Sequence, residues 1–223
     1  DVFKHRLRVL SKVFAGKEVD KITPATIKTA VAEWSNLAAP TRNRYITNAI
    51  SILNFAYAKG WRKSGASMKD EKKFKLGPKR LRWLTPTEAE ALLIELPPYL
   101  QAMAAFTLQT GLREANCRLL EWSWVDLQHR TAWIPGEVMK SEKPLAVPLT
   151  DVAVQVLNRQ YGKHWKWVFP LNGRPISGCS QMAWKKAKVR AGIANFHWHD
   201  LRHTWASWHV QYGTRLEVLQ ELG

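Results

Sequence analysis

Cysteine is nearly absent: Cys117 and Cys179 are the two in 223 residues, and neither sits at a metal-ligand spacing. That excludes a disulfide framework and a cysteine-rich zinc site, and it suits a reducing cytoplasm. No window approaches the roughly 18 uninterrupted apolar residues of a membrane span, and the N-terminus lacks the apolar core of a signal peptide. No membrane partner is expected. Acid is the other shortage, with 18 Asp and Glu against 34 Lys and Arg and a net charge of +16. A compact enzyme for small molecules has little use for such an excess, whereas a chain that binds a polyanion does. The excess is uneven, because residues 1–80 hold 18 of the basic side chains and 6 of the acidic ones. The first third of the chain therefore reads as a nucleic-acid clamp. With 46% hydrophobic residues the chain can bury one large core or two smaller ones, and two are expected. It begins at Asp1 rather than Met and stops at Gly223 inside an amphipathic run, so both ends read as cut.

The expected fold is mostly α with a small antiparallel β-sheet, divided into a helical domain over 1–61, a basic linker over 62–82 and a second domain over 83–223. Apolar residues recur at helical period from Val2 to Phe14. Thr23-Pro24 supplies an N-cap and a proline at the first helical position of a second helix. A third begins near Pro40-Thr41 and stops at Gly60. Its first turn carries Thr41, Arg42, Asn43 and Arg44. Cations there oppose the helix dipole, so a phosphate partner explains them better than local stability does; a solvated turn is the bland alternative. The linker carries nine Lys and Arg, Lys79 and Arg80 among them. They are candidates for contacts along a phosphate backbone, against the alternative of a solvated tether. Thr85 and Glu88 form a capping box that opens the second domain.

Inside that domain, Leu100 to Leu108 reads as a buried helix closed by Gly111, with Arg113 just after the break, at the start of a short helix to Leu120. Residues 124–127, 131–134 and 145–149 are strand candidates, with Gly136 and Ser141 to Lys143 as turns. Lys140 sits between the last two, where a flexible ammonium reaches into a cleft. Helices return at 151–160, 180–191, 199–211 and from Thr214 onward. His199 and Arg202 lie three positions apart and share a helix face. Together with Arg113 they make a cationic cradle, suited to holding a phosphodiester bidentately while charge builds on its oxygens. His197, His199 and His203 invite a metal-site reading as well. Such a site wants further ligands and is crowded by Arg202, so no metal is expected.

Three blocks carry a resemblance. Thr110-Gly111-Leu112-Arg113 with Leu120 and Trp122, Lys140 ahead of Val147-Pro148-Leu149, and His199-Asp200-Leu201-Arg202-His203-Thr204 resemble the tyrosine recombinases, specifically phage-type integrases. Ile22-Thr23-Pro24 and Thr41 to Tyr45 are similar to their core-binding domain. The resemblance implies an N-terminal helical core-binding domain followed by an α+β tyrosine-recombinase catalytic domain. It implies site-specific DNA recombination without metal or other cofactor, in which a tyrosine attacks the scissile phosphate to form a 3′-phosphotyrosine that a freed 5′-hydroxyl later reverses. Arg113 and Arg202 would neutralise the transition state, Lys140 would protonate the leaving oxygen, and His199 would assist proton handling. The partners implied are double-stranded attachment or core sites, a synaptic tetramer on the DNA, and accessory proteins that bend DNA or set direction. The setting implied is the nucleoid of a bacterial host.

Two departures from the family pattern stand out. Three residues after the first arginine the family usually carries an acid, whereas this chain has Asn116, given a supporting role by hydrogen bonding. The family's nucleophilic tyrosine falls beyond Gly223, and Tyr212 lies too close to Arg202 to replace it, so the chain as written is expected to bind DNA without cleaving it. A non-catalytic repressor or architectural protein is the rival reading. It leaves Arg113, Lys140, His199 and Arg202 unexplained. Trp198, Trp205 and Trp208 could stack on bases, but at helical spacing they read as core.

Overall fold

The computed structural model describes residues 2–67, 73–78, 80–139, 142–179 and 182–222. They divide into two compact units, Asp1–Lys79 and Arg80–Gly223. In the first, helices α1 (Val2–Val13), α2 (Pro24–Ala32) and α3 (Ala39–Ala58) surround one apolar cluster. Thr23 and Thr26 close a reciprocal capping box at the start of α2, with the Thr26 amide donating to Thr23 Oγ1 at 3.2 Å. Ile27 and Val31 of α2 and Ile46, Ala49 and Leu53 of α3 are buried against Leu10. The helical stripes meet there, as the period of the apolar residues requires.

The segment expected as a linker is tied down over its described residues. Arg62 is buried and donates to the Ile22 carbonyl at 3.0 Å, and the Lys63 and Ala66 amides donate to Asp20 and Asn54 side chains. The Asn43 side chain takes the Phe74 amide at 2.9 Å and donates to the Phe74 carbonyl at 2.8 Å. Basic composition marks solvation only where no backbone partner is in reach, and here partners are.

The second unit opens with the expected capping box of Thr85 and Glu88, followed by α4 (Pro86–Glu95) and α5 (Pro98–Thr110). Helix α5 is buried nearly all round, with Leu100, Met103, Ala104, Phe106 and Leu108 in the core. Its two buried threonines, Thr107 and Thr110, return their hydroxyls to the Met103 and Phe106 carbonyls at 2.8 Å. A short α6 (Glu114–Arg118) leads to an antiparallel sheet ordered β1 (Val125–Asp126), β2 (Thr131–Ile134), β3 (Leu145–Pro148). Ala132 pairs with Val147, and Ile134 with Leu145. The apolar inner face of β2, Ala132 and Ile134, joins the core. Then come α7 (Asp151–Gln160), a hairpin of β4 (Pro170–Leu171) and β5 (Arg174–Pro175), α8 (Met182–Arg190), α9 (Asp200–Gln211) and α10 (Leu216–Glu221).

The β4–β5 hairpin was not among the expected strands. Its turn, Asn172-Gly173, has positive φ at both residues (51° and 72°), the pairing that a right-twisted two-residue hairpin needs. Both cysteines are free and buried, and burial pushes the Cys117 thiol up to about 12. No described helix is long and apolar enough to cross a membrane.

Candidate phosphate-binding site

The site is built where the end of α5 meets the start of α9. Helix α5 stops at Gly111 in the left-handed conformation, φ 64°, with the Gly111 amide still donating to Thr107 at 2.9 Å. A Cβ on that residue would fall 2.4 Å from the Trp205 ring, so only glycine fits between the two helices. Leu112 is buried immediately after it, and Arg113 caps α6 from an extended backbone. The core thus pins both flanks of the arginine.

On the other wall, Asp200 sets the start of α9. Asp200 is buried, and its carboxylate accepts the His197 amide at 2.6 Å and the Arg80 guanidinium at 2.8 and 2.6 Å. Burial works against that charge, but the His197 amide and Arg80 outweigh it and hold the carboxyl below the usual range. Thr204 donates to the Asp200 carbonyl and accepts the Leu84 amide at 3.1 Å, while Trp208 Nε1 donates to the Leu84 carbonyl at 2.9 Å. The chain leading into α4 is thereby stitched along α9.

From this frame His199 stands at the N-cap of α9, and Arg202, one turn on, reaches the Gly111 turn. Arg202 donates to the Gly111 carbonyl and lies over the Trp205 ring at 5.9 Å. Its pKa is lowered by burial and then by the charge of Arg113. The His199 imidazole is lowered by burial first, then by His203, Arg202 and Arg113, with Asp200 opposing. Two guanidiniums and an imidazole from two segments of chain therefore share one electrostatic neighbourhood. Two guanidiniums held together repel, and an anion between them removes that repulsion. The fork of each suits a phosphate.

Several expected residues lie elsewhere. Arg80, expected on a DNA backbone, is instead engaged with Asp200 and the Asn195 carbonyl, because a buried carboxylate needs a permanent cation. Asn43, expected at the same kind of contact, has its amide committed to the Phe74 backbone. Arg42 stacks on the Phe74 ring at 4.2 Å, Thr41 is half-buried, and Arg44 is exposed. Asn116 is buried and donates to the Met139 sulfur at 2.8 Å, which anchors the residue just before Lys140. Lys140 and Lys79 lie outside the described residues. Among the described residues no three His, Cys, Asp or Glu side chains are grouped to hold a metal, and the His199 and His203 rings meet edge to face at 4.9 Å.

Two contributors escape a reading of the sequence. Trp205 is the floor shared by Gly111 and Arg202. The second is a run of charge hidden by the totals: residues 152–199 hold eight Lys and Arg and no Asp or Glu. On α8, Lys188 donates to the Phe196 carbonyl and Arg190 to Glu95, so those two serve the fold. Met182, Lys185, Lys186 and Val189 form its exposed face, opposite the buried Trp184 and Ala187.

The sequence pattern of the phage integrase family matches residues 82–223. The chain belongs to the phage integrase family. It is 44% identical over 158 residues to the integrase of Salmonella phage P22, a stretch that is 65% of this chain and 41% of the relative. It is 36% identical over 121 residues, 52% of this chain and 28% of the relative, to the prophage integrase IntZ of Escherichia coli K12. The chain spans less than half the length of these curated relatives. In fold it is similar to a lambda integrase solved as a dimer on a core site, with a TM-score of 0.79 at 15% identity over 99% of this chain and 85% of that one. It is likewise similar to the Tn1549 transposon integrase in complex with circular-intermediate DNA, with a TM-score of 0.73 at 14% identity over 98% of this chain and 84% of that one. The family match covers all of Arg113, His199 and Arg202.

Proposed function

We propose that this integrase-family chain is the DNA-holding and phosphate-activating part of a site-specific recombinase that cleaves and rejoins DNA through a 3′-phosphotyrosine. The observation that carries the reading is the shared neighbourhood of Arg113, His199 and Arg202, in which Arg113 lowers the pKa of both others and Arg202 that of His199, with Arg202 tied to the Gly111 turn that precedes Arg113. Arg113 and Arg202 clamp the scissile phosphate, and their permanent charge stabilises the extra negative charge of the pentavalent transition state. His199, held toward its neutral form, accepts or returns the proton of the attacking phenol. Lys140, following the anchored Met139, is the acid for the 5′-oxygen. Because the phosphotyrosyl bond conserves the energy of the phosphodiester, the step calls for no cofactor.

Tyr212 is not the nucleophile in this reading. It closes α9 ten residues after Arg202 and is 87% exposed. At 1.5 Å of rise per residue that separation is about 15 Å along the axis, far beyond attack distance.

The first unit acts as the core-binding domain and the second as the catalytic domain, with double-stranded core sites as substrate. Assembly into a synaptic tetramer, and accessory proteins that bend the DNA, complete the reaction in a bacterial nucleoid. The relatives solved on DNA and as a dimer support DNA binding and association between copies. So does the exposed lysine pair of α8. Binding to duplex DNA should fall about 10³- to 10⁵-fold between 50 and 200 mM salt, the loss for some 6–10 phosphate contacts. Replacing Lys185 and Lys186 by alanine should reduce the slope of log K against log salt by about two and weaken all sequences alike. Fluorescence anisotropy with a labelled duplex measures both, and salt-independent binding would overturn the reading.

A further inference from the structure

The loop between α7 and β4 displays aromatic rings that the proposed chemistry does not use. Trp165 is 85% exposed and Tyr161 73%. The loop beneath them is firmly built. The Trp122 amide donates to the Lys166 carbonyl at 2.9 Å, and the Val168 amide to the Leu120 carbonyl at 3.0 Å, so the base of the loop is laced to the chain after α6. His164 Nδ1 accepts the Lys166 and Trp167 amides at 3.0 and 2.9 Å, and the His164 ring stacks on Trp165 at 5.8 Å with 22° between planes. Tyr161 meets Trp122 edge to face at 5.5 Å. A buried indole would gain far more apolar contact; this one is held up to solvent by a rigid support.

Its surroundings are cationic. Lys163 and Lys166 flank it and Arg159 stands on the last turn of α7; Glu121, whose carboxylate lies in reach, is paired with Lys166 at 3.3 Å. The loop lies within the stretch 152–199 that holds no acidic residue. Flat aromatic faces among lysines match a nucleic-acid strand with unstacked bases, where the ring takes the base face and the ammonium groups take the phosphates. A duplex hides its base faces, so this chemistry selects an unpaired strand.

We infer that Tyr161 and Trp165 form a stacking platform for single-stranded DNA, lying apart from the Arg113 and Arg202 turns in the chain. The inference rests on the proposed recombination, in which cleavage frees a strand end whose bases leave the duplex. The platform holds that strand by stacking, with Lys163 on its backbone.

The test compares wild type, Trp165→Ala, Trp165→Phe and Tyr161→Ala by anisotropy with a labelled thymidine oligonucleotide and with a duplex of equal length. Trp165→Ala should weaken binding of the single strand about 5- to 150-fold, the range for one lost base stack, and leave the duplex within about twofold. Trp165→Phe should retain much of the single-strand affinity. Equal losses on strand and duplex would overturn the platform, as would unchanged strand binding or no strand binding by wild type. Unchanged strand binding together with a smaller species in sedimentation would assign Trp165 to a protein contact instead. Duplex binding by wild type that persists while the strand arm fails sinks this inference alone; its absence sinks the proposed function.

Discussion

Gly111→Ala is expected to lower the melting temperature of the second unit by roughly 4–20 °C. Two costs add at that position. An alanine in the left-handed region costs about 1–2 kcal/mol, and a Cβ pressed to 2.4 Å from the Trp205 ring costs about 1–3 kcal/mol more by overpacking. For a unit of this size each kcal/mol moves the midpoint by about 2–4 °C. Gly192 is the internal control: its φ is 68°, but a Cβ added there would meet nothing within 4 Å. Gly192→Ala should therefore show the backbone cost alone. Differential scanning calorimetry separates the two, and equal midpoints for both variants would mean that Trp205 does not press on the turn. The consequence reaches the site, because Arg202 rests on the same ring and donates to the same glycine.

Arg202→Ala has the largest expected effect on chemistry. The assay is covalent trapping on a nicked duplex, using a chain continued after Gly223 by a tyrosine-bearing segment. Loss of one preorganised donor to a developing oxyanion costs about 10²- to 10³-fold in rate, so the adduct should all but vanish. Duplex binding should change little, since one phosphate contact among many is lost. Arg202→Lys should not restore the rate, because an ammonium lacks the fork that meets two phosphate oxygens. An independent readout guards against misfolding. Arg202 is one of the cations that depress His199, so its removal should raise the His199 pKa in an NMR titration. Adduct formation at the wild-type rate, or an unmoved His199, would contradict the shared neighbourhood.

The elements legible in the sequence are those that local chemistry dictates. The Thr85 and Glu88 box, the strand Thr131–Ile134 and the helix Asp151–Gln160 follow from capping and periodicity within a few residues, and the structure has them at those bounds. Mostly α with a small antiparallel sheet is likewise the observed architecture. What resists reading is pairing over distance. Arg80 meets Asp200 across 120 positions and Asn43 meets Phe74 across 31, and nothing local tells a basic or polar side chain that such a partner exists. Both therefore read as DNA contacts until the fold supplies their partners. The β4–β5 hairpin is the opposite case, since its Asn172-Gly173 step is a strong local signal, masked by the shortness of the strands. Net charge misleads in a third way: all the acids of the second unit lie outside 152–199 and offset part of its charge, so only the distribution reveals the run.

Arg113, His199 and Arg202 are proposed to hold one phosphate between them. A crystal structure of the chain bound to a duplex tests it most directly. A single backbone phosphate is expected within hydrogen-bond reach, about 3 Å, of both guanidiniums, with the His199 imidazole turned to the same group. Arg113 and Arg202 on different phosphates, or either one closed onto a carboxylate with no phosphate beside it, would contradict it.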